Sequence, residues 1–132
     1  MKHQIGEKVQ VSKTISETDV SLFAGISGDF NPVHVNKIEA EDSIFGKQVA
    51  HGFLVGSLLS NAIGMRLPGP GTIYMEQDMK FKKPVHIGDT VTALLEVAEI
   101  LNEEKNILKL TTQVINQHGT LVIDGYAVVK AP

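Results

Sequence analysis

Residues 50–66, AHGFLVGSLLSNAIGMR, carry the only long helical pattern in the chain. Leu54, Val55, Leu58, Leu59, Ala62 and Ile63 wrap more than one face of such a helix, so it must be buried on most sides. A second period runs through it. Gly52, Gly56, Ser60 and Gly64 recur four residues apart and form a stripe of small side chains. Glycine costs about 1 kcal/mol relative to alanine inside a helix, so the stripe calls for something that approaches closely. A sheet packed tightly on the helix satisfies it, a ligand lying along it satisfies it too, and the two are compatible. LPGPG at 67–71 stops the helix.

Everything after that stop has strand patterns. Thr72–Lys83 alternates through Ile73, Met75, Met79 and Phe81, with a phase break expected near Gln77–Asp78. Pro84 and Gly88-Asp89 mark a turn. Strands are expected at Thr90–Ile100, Asn106–Asn116 and Leu121–Val129, with turns at Asn102–Lys105 and Gln117–Gly119. Regular spacing with short turns predicts an antiparallel meander. Before the long helix, Lys8–Thr14 alternates as an edge strand. Ser16 is placed to cap a helix whose first turn holds Glu17 and Asp19, suiting the positive end of the dipole. Val20, Phe23, Ala24 and Ile26 form its inward face, and Gly25 and Gly28 end it. Asn36 caps a second short helix, Lys37–Ser43, with Ile38 and Ala40 inward, and Gly46 breaks it. One long buried helix with a run of strands predicts an α+β fold whose sheet wraps the helix.

The totals narrow the function classes. A length of 132 residues suits one domain spanning 1–132. The absence of cysteine removes disulfides and thiolate catalysis together. A net charge of −3, with no block of like sign, argues against a nucleic-acid or membrane surface. The N-terminal MKHQIGEKVQVSK has no apolar core of a signal peptide, and the apolar run from Phe53 to Met65 is too short to span a bilayer. A cytoplasmic location is the expectation.

The residues that carry chemistry lie in SGDFNPVH, Ser27 to His34, and in Ala50-His51-Gly52. Pro32 lacks an N–H and disfavours helix at Asn31, so the first stretch is expected to stay open as a loop. A curved loop brings Asp29 and His34 into one cleft. Histidine exchanges protons near neutral pH, and a carboxylate beside it orients the ring or acts as the base. Asp and Asn in such turns also serve simply to satisfy backbone N–H groups. Gly52, at a helix N-terminus, offers an unpaired N–H with no side chain in the way, suited to stabilise charge developing on a carbonyl oxygen. His51 and Gly52 also shape the helix entry. His3, His86 and His118 are expected to be solvated. No His/Asp/Glu trio has metal-ligand spacing, so no metal is expected. Ser60 lacks an activating base and is better placed to bond substrate or backbone.

Phe23–His34, FAGISGDFNPVH, resembles the hydratase 2 motif of the MaoC-like hot-dog family, in particular the short bacterial (R)-specific enoyl-CoA hydratases. Val49–Leu54 (VAHGFL), Leu67–Thr72 (LPGPGT) and Phe81–Asp89 (FKKPVHIGD) add to the resemblance, which covers nearly the whole chain. It implies a hot-dog domain, a long helix wrapped by an antiparallel sheet, and a homodimer whose two sheets join. It implies reversible syn hydration of trans-2-enoyl-CoA to (R)-3-hydroxyacyl-CoA, with coenzyme A as part of the substrate and no separate cofactor. Asp29 and His34 would be the catalytic pair, and the Gly52 N–H would bond the thioester oxygen. Ser60 would line the site, and Asn31 would hold the loop from behind, with His51 beside it. Lys80, Lys82 and Lys83 could meet the phosphates of coenzyme A, although a solvated strand edge accounts for them. The alternatives are a dehydratase acting on carrier-protein thioesters, a hot-dog thioesterase, and a catalytically silent acyl-CoA-binding module.

Overall fold

The computed structural model describes residues 3–132. Nine elements follow in order: β1 (Lys8–Thr14), α1 (Glu17–Ser27), α2 (Pro32–Val35), α3 (Lys37–Glu41), α4 (Gly52–Met65), β2 (Ile73–Phe81), β3 (Thr90–Asn102), β4 (Ile107–Ile115) and β5 (Leu121–Lys130). The five strands form one sheet in the order β1-β3-β4-β5-β2, every neighbouring pair antiparallel. The sheet lies around α4, as the long apolar pattern predicts. Val55, Leu58, Leu59, Ala62 and Ile63 are buried against Val91, Ala93, Leu95 and Val97 of β3 and Leu108, Leu110 and Val114 of β4. No helix among the described residues is long and apolar enough to cross a membrane.

The small-residue stripe resolves into two halves. A Cβ on Gly52 would lie 2.7 Å from the Phe81 ring, and one on Gly56 would lie 2.6 Å from the Met79 sulfur. The first half of the stripe is therefore where β2 side chains press on the helix. Gly64 faces open space and Ser60 is exposed, so the second half is left uncovered by the described residues.

Several sequence expectations shift. The meander covers only β3, β4 and β5, while β2 lies outside β5. Residues 82–89, which carry turn signals, instead cross the end of the sheet. They are pinned on the way: Ala50 N–H donates to Val85 O (2.7 Å), Gly88 N–H to Ile15 O (2.8 Å) and Ile15 N–H to Asp89 O (2.9 Å). The irregularity in β2 falls between Tyr74 and Glu76, earlier than the expected break. Ile73 and Met75 consequently stay exposed while Met79 reaches the core. Ile26 (84% exposed) and Ile38 (74%) do not face inward. Each lies on a short helix that covers the core by one narrow face, through Val20 and Ala24 in α1 and Ala40 in α3. The His3 side chain is packed down against Glu7 (3.2 Å), so it is not a solvated tail residue. His86 is half-buried, with Nε2 3.3 Å from Phe45 O, while His118 is exposed as expected.

At the end of the crossing segment, Asp89 accepts from the His86 backbone N–H and the Gln117 amide, both at 2.9 Å. Burial pushes its carboxyl up, but the Gln117 and His86 hydrogen bonds, aided by the charges of His86 and Lys47, hold it below the usual value. A depressed folded-state value adds stability above the unfolded pKa, and that stability fades as pH falls through the folded one. The melting-temperature advantage of the wild type over Asp89→Asn should therefore be full above about pH 4 and shrink as the pH is lowered further. Gly125 and Gly25 should respond oppositely to alanine. A Cβ on Gly125 would run into the Asp78 carbonyl of β2, whereas nothing lies near Gly25 within α1. In denaturant titrations G125A should cost about 1–3 kcal/mol, and G25A should gain up to about 1 kcal/mol.

Candidate active site

The segment between α1 and α4 forms an overhang on the N-terminal end of α4. Its shape follows from local hydrogen bonds. Ser16 and Asp19 form a reciprocal capping box that starts α1 (3.0 and 2.9 Å). Gly28 ends α1 in the left-handed region (φ 80°), which a glycine adopts without strain. The chain then turns. Asp29 Oδ1 accepts the Asn31 N–H (3.1 Å), and Asn31 Oδ1 accepts the Val33 N–H (3.4 Å). Asn31 thus caps α2, a single turn with Pro32 at its first position, so this stretch is not an open loop throughout. Proline excludes helix before itself but suits a first helical position, where no N–H is needed.

That one turn aims His34 at the start of α4. Its Nδ1 lies 2.7 Å from the Val49 carbonyl oxygen, and its own carbonyl accepts from the Gln48 amide (2.8 Å). A carbonyl only accepts, so Nδ1 carries hydrogen and Nε2 is the nitrogen left for chemistry. Val49 N–H donates back to Val33 O (3.1 Å). His51 stands just before α4 without a side-chain bond to the helix start, and its ring stacks on His34 with centroids 3.9 Å apart and planes 27° apart. His51 Nε2 lies 2.9 Å from the Asp29 carbonyl oxygen. Ligand-type atoms of Asp29, His34 and His51 all fall within 4.8 Å of one another. Spacing in the sequence offered no such trio, because His51 arrives from a different element. One nitrogen on each ring already donates to a backbone carbonyl.

Two cavities meet at these residues. The larger, about 550 Å³, is lined chiefly by apolar groups, among them Phe45, Val49, Val55, Phe81 and Ile123, with Lys82 and Lys83 also on its wall. The smaller, about 230 Å³, holds Phe23, Ser27, Asp29 and His51. His34, Gly52 and Phe53 line both. Gly52 is the first residue of α4, where backbone N–H groups have no partner inside the helix. Asp29 is exposed, His34 half-buried and His51 buried. The arrangement sets a carboxylate, an imidazole nitrogen and a helix-start N–H along one cleft, which is what proton transfer next to a polarised carbonyl requires.

Of the residues singled out from the sequence, Asp29, Asn31, His34, His51 and Gly52 gather here. Ser60 does not: it is exposed on α4 two turns away and lines neither cavity. Lys80 pairs with Asp78 (2.7 Å), while Lys82 and Lys83 reach the larger cavity. Gln48 and Val49, which fix His34, carried no signal of that role, because both act from positions remote in sequence and one of them acts through its backbone.

A hot-dog fold with an Asp/His cleft at the helix start defines the class of protein. The MaoC like domain model matches residues 1–118, and the chain belongs to that family. It is 46% identical over 127 residues to the (R)-specific enoyl-CoA hydratase of Rhodospirillum rubrum, covering 96% of this chain and 87% of that one. It is 43% identical over 129 residues to the (R)-specific enoyl-CoA hydratase of Aeromonas caviae, covering 98% and 96%. The solved (R)-hydratase from A. caviae superposes with a TM-score of 0.95 over 98% of each chain.

Proposed function

We propose that this protein is an (R)-specific enoyl-CoA hydratase, which adds water reversibly and on one face to trans-2-enoyl-CoA, giving (R)-3-hydroxyacyl-CoA. The observation that carries this reading is the Asp29–His34 pair beside the Gly52 N–H. A ring nitrogen of His34 and a carboxylate oxygen of Asp29 lie within 4.8 Å of each other, close enough for one water to bridge the two side chains. In the hydration direction the water oxygen bonds to C3, one of its protons passes to the pair, and a proton is delivered to C2. His34 Nε2 and the Asp29 carboxylate act together as the water-activating unit. The Gly52 N–H accommodates the negative charge that builds on the thioester oxygen as C3 is attacked. That charge appears only on the way to the transition state, so a donor already in place lowers the barrier. Asn31 keeps the turn closed from behind. The acyl-CoA thioester is the substrate, and the reaction needs no separate cofactor.

A homodimer accompanies this reading. β2 ends the sheet with one edge unpaired, and Ile73, Tyr74 and Met75 on it are exposed, as are Phe53 and Met65 of α4. An open apolar strand edge is a template for pairing, and a second copy laid along β2 would join two sheets into one. The same copy would cover the exposed second half of the small-residue stripe, including Ser60. The protein is expected to act in the cytoplasm.

Asp29→Asn and His34→Gln should each lower kcat for crotonyl-CoA hydration by about 100- to 10,000-fold, with both still folding cooperatively and His34→Gln melting only a few degrees lower for loss of its bond to Val49. Near-normal turnover in both would rule the assignment out. Parallel assays on enoyl thioesters of coenzyme A and of carrier protein would separate this reading from the carrier-protein dehydratase, and release of free coenzyme A with the enoyl absorbance intact would indicate a thioesterase. In light scattering coupled to size exclusion the wild type should run as a dimer, and Met75→Lys should shift it toward monomer. A monomeric wild type would overturn the dimer.

A further inference from the structure

His51 lies behind the reacting pair, and its environment is unusual. It is 2% exposed, and Nδ1 has no hydrogen-bond partner among the described residues. We infer that His51 is a positioning residue which holds Asp29 and His34 in register with each other and with Gly52. The inference rests on the hydratase reading and extends it. Three separate connections carry it. His51 Nε2–H donates to the Asp29 backbone carbonyl (2.9 Å), which fixes where the carboxylate leaves the chain. The ring face stacks on His34 at 3.9 Å, which limits how that imidazole tilts about its Nδ1–H bond to Val49. The His51 carbonyl accepts from the Val55 N–H (3.2 Å), which starts α4 and so orients the neighbouring Gly52 N–H.

The orphan nitrogen supports a role beyond packing. A buried nitrogen without a partner destabilises a fold. The His51 ring also meets Phe23, with centroids 4.9 Å apart and planes tilted by 53°, so aromatic groups make up part of its surroundings. A phenyl ring would keep the stack on His34 and remove the orphan. What it would lose is the single N–H aimed at Asp29. The imidazole is thus worth its unpaired nitrogen only if the bond to the Asp29 loop matters.

Stability and activity should therefore separate in His51→Phe. The variant loses the orphan nitrogen but also the bond to the Asp29 carbonyl, so it should melt within a few degrees of the wild type and keep its KM for crotonyl-CoA, while kcat falls about 10- to 100-fold, as misplacement of reacting groups without loss of binding predicts. His51→Gln, which retains an N–H donor, should recover part of that loss. In nitrogen-detected spectra of the imidazoles, the His34 Nδ1–H signal should shift in His51→Phe, because the stacked neighbour's ring current and dipole change. A lower melting temperature with kcat unchanged would make His51 a packing residue and overturn the inference. So would full kcat in both variants. If His51→Phe does not fold, the split between kcat and KM in His51→Gln decides the matter. If the wild type itself fails to hydrate crotonyl-CoA, the hydratase reading is lost, and exchange of the His34 Nδ1–H with water then decides the positioning role: faster exchange in His51→Phe than in the wild type retains it, and an equal rate ends it.

Discussion

The site depends on one short strip of backbone, Gln48 to Ala50, that is bonded on both sides. Val49 accepts from the His34 ring and donates to Val33, and Gln48 reaches the His34 carbonyl. On the other side Ala50 donates to Val85, and Val49 bridges to His86. Each of these bonds is worth about 1 kcal/mol net, so none dominates. Their effect is geometric. The overhang carrying Asp29 and His34 is joined through this strip to the segment that crosses the sheet, and the strip runs straight into α4. Moving His34 relative to Gly52 would require breaking several bonds at once. A cleft on a loop-rich segment thereby acquires the precision usually found on helices and strands.

That dependence also explains why the crossing segment, residues 82–89, has to be where it is. A meander would have sent β2 directly into β3 by a tight turn. Placing β2 outside β5 instead forces the chain across the end of the sheet, where it passes beneath the overhang and lends Lys82, Lys83, Pro84 and Val85 to the cavity wall. Topology and site are the same choice: the strand order that leaves β2 with a free edge also supplies one side of the cleft.

What was legible in the sequence follows a physical division. Features set by neighbours along the chain could be read: the Ser16 cap, the stop at 67–71, the buried face of α4, and all four strands after it to within two residues of their ends. The hydrophobic period and capping chemistry are local, so the sequence displays them directly. Features set by contacts between distant segments could not. The position of β2, the burial of His3 and the meeting of His51 with Asp29 each need the whole sheet to close first. The Asp29–His34 turn falls between these cases. Its residues are evident in the sequence, but Pro32 there signals a helix break, whereas its second property, a preset φ without need of an N–H, makes it a helix starter.

The small-residue stripe shows how one sequence pattern can have two causes. Gly52 and Gly56 are small because Phe81 and Met79 of the same chain lie against them. Ser60 and Gly64 have no such neighbour, yet they continue the period. Half of a line of four small residues is thus explained by packing among the described residues, and the other half is left exposed. The strand that covers the first half of the stripe, β2, pairs with β5 on one edge and leaves its other edge free. Close packing within the chain thus accounts for the first half of a single row of positions on one helix, and the cleft opens at the end of that row where Gly52 begins α4.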